Sequence, residues 1–332
     1  MAETEQRGNG ANDLDVIVIG AGFAGLYALH LMRQRGFRTR VLEAGTGVGG
    51  TWYWNRYPGA RCDIESVEYS YSFSSELEQE WQWTERYAAQ PEILRYLNHV
   101  ADRFDLRRDI QLETRVQSAH WDEQAQRWRI ETVAGEAFTA RYCVMATGNL
   151  SAPKLPDWPG IDGFAGQIIH TAQWPREPVD LGGKRVAVIG TGSSGMQVIP
   201  RVADQAAHLT VFQRTPSFAA PAHNRPLTAE ESAAVKSNYA ALRDRARGSF
   251  LGWFRSGTTR SAHEDSPEGQ AEAYEHSWQV GGPALLQTYG DLLVDETAND
   301  TAAEFARAKI RSMIKDPVTA ERIAVEIGRA HV

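Results

Sequence analysis

Two glycine-rich loops, each entered from a short apolar run, constrain this chain more than any other feature. They are Gly20-Ala21-Gly22-Phe23-Ala24-Gly25 after Leu14 to Ile19, and Gly190-Thr191-Gly192-Ser193-Ser194-Gly195 after Val186 to Ile189. A continuous apolar run of this length is what a strand buried on both faces of a parallel sheet requires. In such a loop the first glycine permits a tight turn, the second lets the backbone approach a pyrophosphate, and the third allows helix to pack on strand. The helix start then presents unpaired N–H groups and its positive dipole end. Residues 23–35 read as the first helix and 39–43 as the strand after it, while 185–212 read as a second unit of the same kind. The expected fold class is therefore α/β, with two Rossmann-like dinucleotide-binding modules, and 332 residues suffice for roughly two domains.

The residues downstream of each loop distinguish the two modules. Glu43 lies 18 residues past Gly25, at the end of the second strand. A carboxylate there can accept hydrogen bonds from both ribose hydroxyls of an unphosphorylated adenosine. The equivalent stretch of the second module is Val211-Phe212-Gln213-Arg214-Thr215, with no acid. A carboxylate would repel a 2′-phosphate, whereas a guanidinium can pair with it, so Arg214 and Thr215 are candidate phosphate contacts and NADPH the expected coenzyme. FAD suits the first module better than NAD because a second nucleotide module comes after it. Two coenzymes on one chain imply hydride transfer from nicotinamide to flavin.

Around these modules, residues 91–104 carry a helical apolar face, and three alternating segments at 116–121, 127–133 and 137–144 read as a β-meander. Ser151 to Gly163, with Pro153, Pro156 and Pro159, reads as a linker. Beyond Pro226 the pattern is that of a helical insertion: Thr228 with Glu231 and Thr301 with Glu304 have capping-box spacing, and Ser266-Pro267 suits another helix start. The expected order is an FAD-binding domain over 1–150, an NADP-binding domain over 151–225, the insertion over 226–320 and a tail over 321–332.

A net charge of −7 offers no footprint for nucleic acid or an anionic membrane, which leaves a small molecule as the expected partner. The two cysteines, Cys62 and Cys143, form neither a redox pair nor a metal cluster, and a reducing cytoplasm is the simple reading. That also argues against a flavin-dependent disulfide reductase. The apolar run Val16 to Met32 is preceded by Asp13 and Asp15 and interrupted by glycines, unlike a signal peptide or membrane span. Met1 to Asn12 is expected to be a polar leader. The sequence leaves the oligomeric state open.

Between the two loops lies Phe164-Ala165-Gly166-Gln167-Ile168-Ile169-His170-Thr171-Ala172-Gln173-Trp174-Pro175. It resembles the F-x-G-x-x-x-H-x-x-x-W-P fingerprint of Baeyer–Villiger monooxygenases, and the run Gly49 to Phe73 is similar to the phenylacetone and steroid monooxygenase branch. That family uses FAD, NADPH and dioxygen to insert one oxygen beside a ketone carbonyl, giving an ester or lactone. The resemblance implies that Gly50, Thr51, Trp52, Tyr69 and Val116 join Gly20, Gly22, Ala24, Gly25 and Glu43 around FAD. It adds Gln197 to Gly190 through Gly195, Arg214 and Thr215 around NADPH. It further implies that Arg61 and Asp63 face the flavin and nicotinamide, with Asp63 orienting a catalytic arginine, and that His170 couples the nucleotide modules. Phe164 and Trp174 are expected in core or interdomain packing, and Gly166 at a turn.

The likeness ends near Ala320, where the family's catalytic arginine would still be to come, so the expected fold is C-terminally truncated and this chain is expected to be inactive. Glu326 to Val332 reads as a translated adapter. Two rival readings are a flavin monooxygenase acting on nitrogen or sulfur, and a non-catalytic nucleotide-binding fragment.

Overall fold

A computed structural model describes residues 12–150, 152–215, 219–249, 252–255 and 257–324; the expected leader before Asn12 and the expected adapter tail lie outside them. The chain begins β1 (Asp13–Ile19), α1 (Phe23–Gln34), β2 (Thr39–Leu42), α2 (Thr51–Trp54), α3 (Ser75–Glu80) and α4 (Gln90–Arg103). Next come β3 (Ile110–Gln111), β4 (Val116–Asp122), β5 (Arg127–Thr132) and β6 (Ala137–Met145). The remainder is β7 (Arg185–Ile189), α5 (Ser193–Ala203), β8 (His208–Phe212), α6 (Ala229–Arg247), α7 (Pro267–Val280), α8 (Glu296–Met313) and α9 (Pro317–Ile323).

Two compact units result, Met1–Tyr57 with Gln90–Val179 and Pro58–Ala89 with Asp180–Val332. The first is built on a six-stranded sheet in the order β3-β2-β1-β6-β5-β4. β1 is parallel to both neighbours, Val16 standing opposite Thr39 of β2 and Tyr142 of β6. That central place explains its unbroken apolar sequence, since both of its faces are covered. Ile17 and Ile19 join Leu42, Ile130, Phe138 and Ala140 in one core cluster. The meander forms as expected, with β5 antiparallel to β4 and β6. Its last strand also completes the parallel sheet beside β1, a pairing with no local signal. In α4 the buried face is Ile93, Tyr96, Leu97, Val100 and Ala101.

In the second unit β7 and β8 pair in parallel, Val186 opposite Leu209, with α5 between them in sequence. Residues 58–89 belong here because their backbone partners do. Arg86 N donates to Arg225 O at 2.9 Å, Leu227 N donates to Thr84 O at 3.0 Å, and Arg243 meets Glu78 in a nearly buried ion pair at 2.9 Å. The unit boundaries therefore differ from the segments expected in sequence: 58–89 leaves the first stretch, and 152–179 clusters with it. Of the expected linker, the described part holds only a 3₁₀ turn, Ile161–Gly163.

The helical region starts as its caps dictate. Thr228 accepts from Glu231 N at 3.1 Å while Glu231 accepts from Thr228 N at 3.0 Å, a complete capping box, and Ser266 caps α7. The expected start at Thr301 is not found. Thr301 lies inside α8, where its hydroxyl donates to Ala298 O at 2.7 Å. The cap is Asp295, accepting from Ala298 N at 2.8 Å, because the helix is held from its first turn by Ala298 and Ala302 packed against Tyr274, Tyr289 and Leu292. No helix of the described residues is long and apolar enough to cross a membrane.

Candidate functional site

Both glycine loops are built alike. Gly20 and Gly190 have φ of +103° and +101°, a region that favours glycine. Gly25 and Gly195 lie so close to the carbonyls of Gly20 and Gly190 that an added Cβ would stand 1.8 and 2.3 Å away. The helices they open, α1 and α5, start at Gly22 and Gly192 in extended conformation, and neither has a side-chain cap. By contrast α6, α7 and α8 are capped by Thr228, Ser266 and Asp295. Serine, threonine, asparagine or aspartate at that position would consume the free N–H groups an anion needs.

In the first unit Glu43 is 4% exposed. Its carboxylate accepts from Ala21 N and Gly45 N, both at 2.7 Å, so it ties the first loop to the strand end. These two bonds leave lone pairs on a carboxylate that can accept about four. Gly50, at φ +53°, comes so near Gly22 that a Cβ would lie 2.8 Å from its Cα, and Gly49 N donates to Ala21 O at 2.9 Å. The backbone cradle is thus made by two glycine segments. Ala24 lies in the first turn of α1, Thr51 and the buried Trp52 form α2, and Val116 opens β4.

In the second unit Thr191 donates to Gln213 Oε1 at 2.9 Å, linking the loop to the segment that carries the exposed Arg214 and Thr215. Gln197, on α5, spends its amide on the 61–63 backbone and on Asp63. Its Nε2 donates to Arg61 O and Asp63 Oδ1, both at 3.1 Å, and its Oε1 accepts from Arg61 N at 3.3 Å. The Arg61 guanidinium donates to Glu85 Oε2 and Tyr87 O, both at 2.9 Å. Burial around the Asp63 carboxyl raises its pKa above the usual range, opposed by the Gln197 hydrogen bond. Burial also works to raise Glu85, but hydrogen bonds from Arg61 and Asn224 hold it below its ordinary value. Cys62, between Arg61 and Asp63, is pushed up to about 12 by burial and is an inert thiol. Tyr69 lies half-buried in the same unit.

Sequence reading misses Gly59 and Gln213. Gly59, at φ +86°, abuts α5 so closely that a Cβ would lie 2.4 Å from Gln197 O; its only signal is the Pro58-Gly59 turn dipeptide. Gln213 carries no signal, since its partner Thr191 is set by the fold. A cavity of about 20 Å³ in this unit, lined by residues including Glu65, Glu68, Arg86 and Gln287, has room for about one water and cannot take a ketone.

In the fingerprint segment His170 Nδ1 accepts from Ala172 N at 3.2 Å and caps its own 3₁₀ turn, Thr171–Gln173. One expectation is narrowed: Phe164 is 62% exposed, which excludes a place in the core. Gly166 sits at a bend and there makes room for the Phe164 ring, which a Cβ would meet at 2.6 Å.

Residues 17–241 match the pyridine nucleotide-disulphide oxidoreductase family. A Baeyer–Villiger monooxygenase of Pseudooceanicola batsensis is 44% identical over 324 residues, 97% of this chain and 59% of that protein. The solved structure of an oxidized steroid monooxygenase bound to NADP superposes with a TM-score of 0.91 at 52% identity, over 94% of this chain and 60% of that one. The chain belongs to the Baeyer–Villiger flavin monooxygenase family. A phenazine N-monooxygenase of Lysobacter antibioticus is also similar, 46% identical over 95% of this chain and 59% of its own length. The chain thus spans about three fifths of the relatives it matches. The disulphide in the matched family's description has no counterpart here, for Cys62 and Cys143 are both free thiols.

Proposed function

We propose that the protein to which this sequence belongs is an FAD- and NADPH-dependent monooxygenase that inserts one oxygen atom beside a ketone carbonyl. The observation that carries this reading is the pair of equally built, uncapped glycine loops, one succeeded by a buried carboxylate and the other by Gln213-Arg214-Thr215. Family membership with Baeyer–Villiger enzymes supports this choice of reaction class.

The residues present suit both coenzymes. Gly20, Gly22, Gly25 and Gly50 would let the backbone close on the FAD pyrophosphate, and the remaining lone pairs of Glu43 would take its ribose hydroxyls. Gly190 through Gly195 would hold the NADPH pyrophosphate, with Arg214 and Thr215 on the 2′-phosphate. Bound flavin supplies the redox chemistry, passing electrons from NADPH to dioxygen. The chain's part is to bind, orient and exclude water. Arg61 and Asp63 are the proposed catalytic pair of this chain; the Gln197 amide fixes their backbone, and the Glu85 carboxylate anchors the Arg61 guanidinium.

Oxygenation of a ring nitrogen is a second reading, favoured by the phenazine N-monooxygenase relative. Incubation of the longer protein to which this sequence belongs with FAD, NADPH and ¹⁸O₂, offered a cyclic ketone and an aromatic N-heterocycle, separates the two by mass spectrometry, while residues 1–332 alone are expected to form neither product. One labelled oxygen in an ester or lactone is expected. Labelled N-oxide without ester would replace the ketone reading, and failure of that protein to take up FAD would remove both.

A further inference from the structure

The loop from Gly45 to Gly50 decides how closely a ligand can meet Gly22, yet it has no regular secondary structure of its own before α2. Its ends are held by the Gly45 N bond to Glu43 and the Gly49 N bond to Ala21 O. Its middle is held by Tyr53. The Thr46 N–H donates to Tyr53 Oη at 3.0 Å, and the Thr46 and Tyr53 hydroxyls share a bond of 2.7 Å. The Tyr53 side chain is buried against the loop, where a Cβ on Gly45, Gly47 or Gly49 would meet it at 2.7, 3.1 and 3.2 Å. The tyrosine occupies the space a side chain on Gly45 would fill and crowds that of Gly47, while Gly49, at φ +131°, is closed off first by Leu94 at 2.6 Å.

One residue from the fingerprint side reaches this assembly. Arg176, directly after Pro175, donates from Nη2 to Tyr53 Oη and to Thr46 Oγ1, the latter at 3.2 Å, and its guanidinium stacks over the Tyr53 ring at 5.0 Å. His170 bonds within its own turn instead. We propose that Arg176 is a positioning residue: acting through Tyr53, it fixes the Gly45–Gly50 loop and with it the backbone cradle at Gly22. The inference rests on the reading of the first loop as the FAD pyrophosphate site.

Arg176 lies at the surface, so solvent screens its bonds and their effect belongs at the low end for charge-assisted contacts. Hydrogen exchange of the full chain, followed by mass spectrometry, tests the clamp without flavin. In Arg176→Ala the amides of 45–53 should exchange about two- to tenfold faster, while those of β1 stay unchanged. Arg176→Lys should recover part of the protection, and Arg176→Ala made in a Tyr53→Phe background should add little. Unchanged exchange over 45–53, or full additivity with Tyr53→Phe, overturns the clamp. FAD titration then separates the two layers: Arg176→Ala should weaken binding by a similar factor, and Gly22→Val should abolish it. Loss in Gly22→Val with wild-type affinity in Arg176→Ala overturns the role of Arg176 alone. Undiminished FAD binding by Gly22→Val overturns the pyrophosphate reading beneath it.

Discussion

Gly25→Ala asks whether the third glycine of the first loop is there for packing. In a helix interior alanine is ordinarily favoured over glycine by about 1 kcal/mol, and Gly25 lies inside α1, so propensity alone says the variant should be more stable. Geometry says the opposite. The new Cβ would stand 1.8 Å from Gly20 O and 2.9 Å from Gly20 C, both backbone atoms of a loop whose first residue is already at positive φ. To restore a van der Waals distance α1 would have to retreat from the loop by about an ångström or more, breaking the packing of Leu26 and Leu29, which are fully buried. Overpacking against atoms that can move costs about 1–3 kcal/mol. A fixed backbone puts this case at the upper end, and after the propensity gain about 2 kcal/mol of destabilisation remains, or roughly 4–8 °C in melting midpoint. Gly192→Ala in the second loop is the control, since a Cβ there meets nothing within 4 Å. Melting followed by circular dichroism compares the two variants with wild type. A Gly25→Ala protein as stable as wild type would refute the packing argument.

Three further outcomes are expected. Arg214→Ala should weaken NADP⁺ binding about tenfold, the lower part of the range for a charge-assisted bond because Arg214 is exposed, and leave NAD⁺ unchanged; calorimetric titration that shows both coenzymes losing alike would remove its phosphate-reading role. With its pKa pushed up to about 12 by burial, Cys62 should resist alkylation at pH 8 until the chain is unfolded, while the half-buried Cys143 reacts first. Because the folded state holds the Cys62 proton more tightly, stability from this group should fall as pH rises from about 9 towards 12. Thr228→Ala should cost about 1 kcal/mol through the lost cap of α6. Hydrogen bonds from Arg225 and then Thr228 hold Glu231 at about 2, so its contribution should be present above the ordinary value of 4.5 and fade as pH falls from there to 2. Denaturant melts of wild type and Thr228→Ala across that window check both, and a cap variant indistinguishable from wild type at neutral pH would count against the box.

Local signals in this chain are legible where the structure also uses them locally. The first strand, the glycine turns, the caps at Thr228 and Ser266 and the meander each arise from a few neighbouring residues. Thr301 shows the limit of such signals: its spacing to Glu304 satisfies the cap pattern, but the cap is Asp295, earlier in the chain, and the buried alanine face begins just after it. Phe164 shows another. An aromatic residue in such a motif suggests the core as readily as an interdomain face, and its ring, lying over Gly166 and exposed, excludes the core.

By itself the sequence determined that there are two glycine-rich loops, which residues they contain, and that only the first is succeeded by an acid. These are properties of short stretches, where turn geometry and apolar runs act over a few residues. Only the tertiary structure decided that residues 58–89 belong with 180–332, that β6 lies beside β1, and that Glu43, Gly50 and Tyr53 with Arg176 assemble around the first loop. The reason is physical: backbone donors must find acceptors and buried rings must find space, and the partners that satisfy them can lie far away in the chain, as Arg86 N finds Arg225 O.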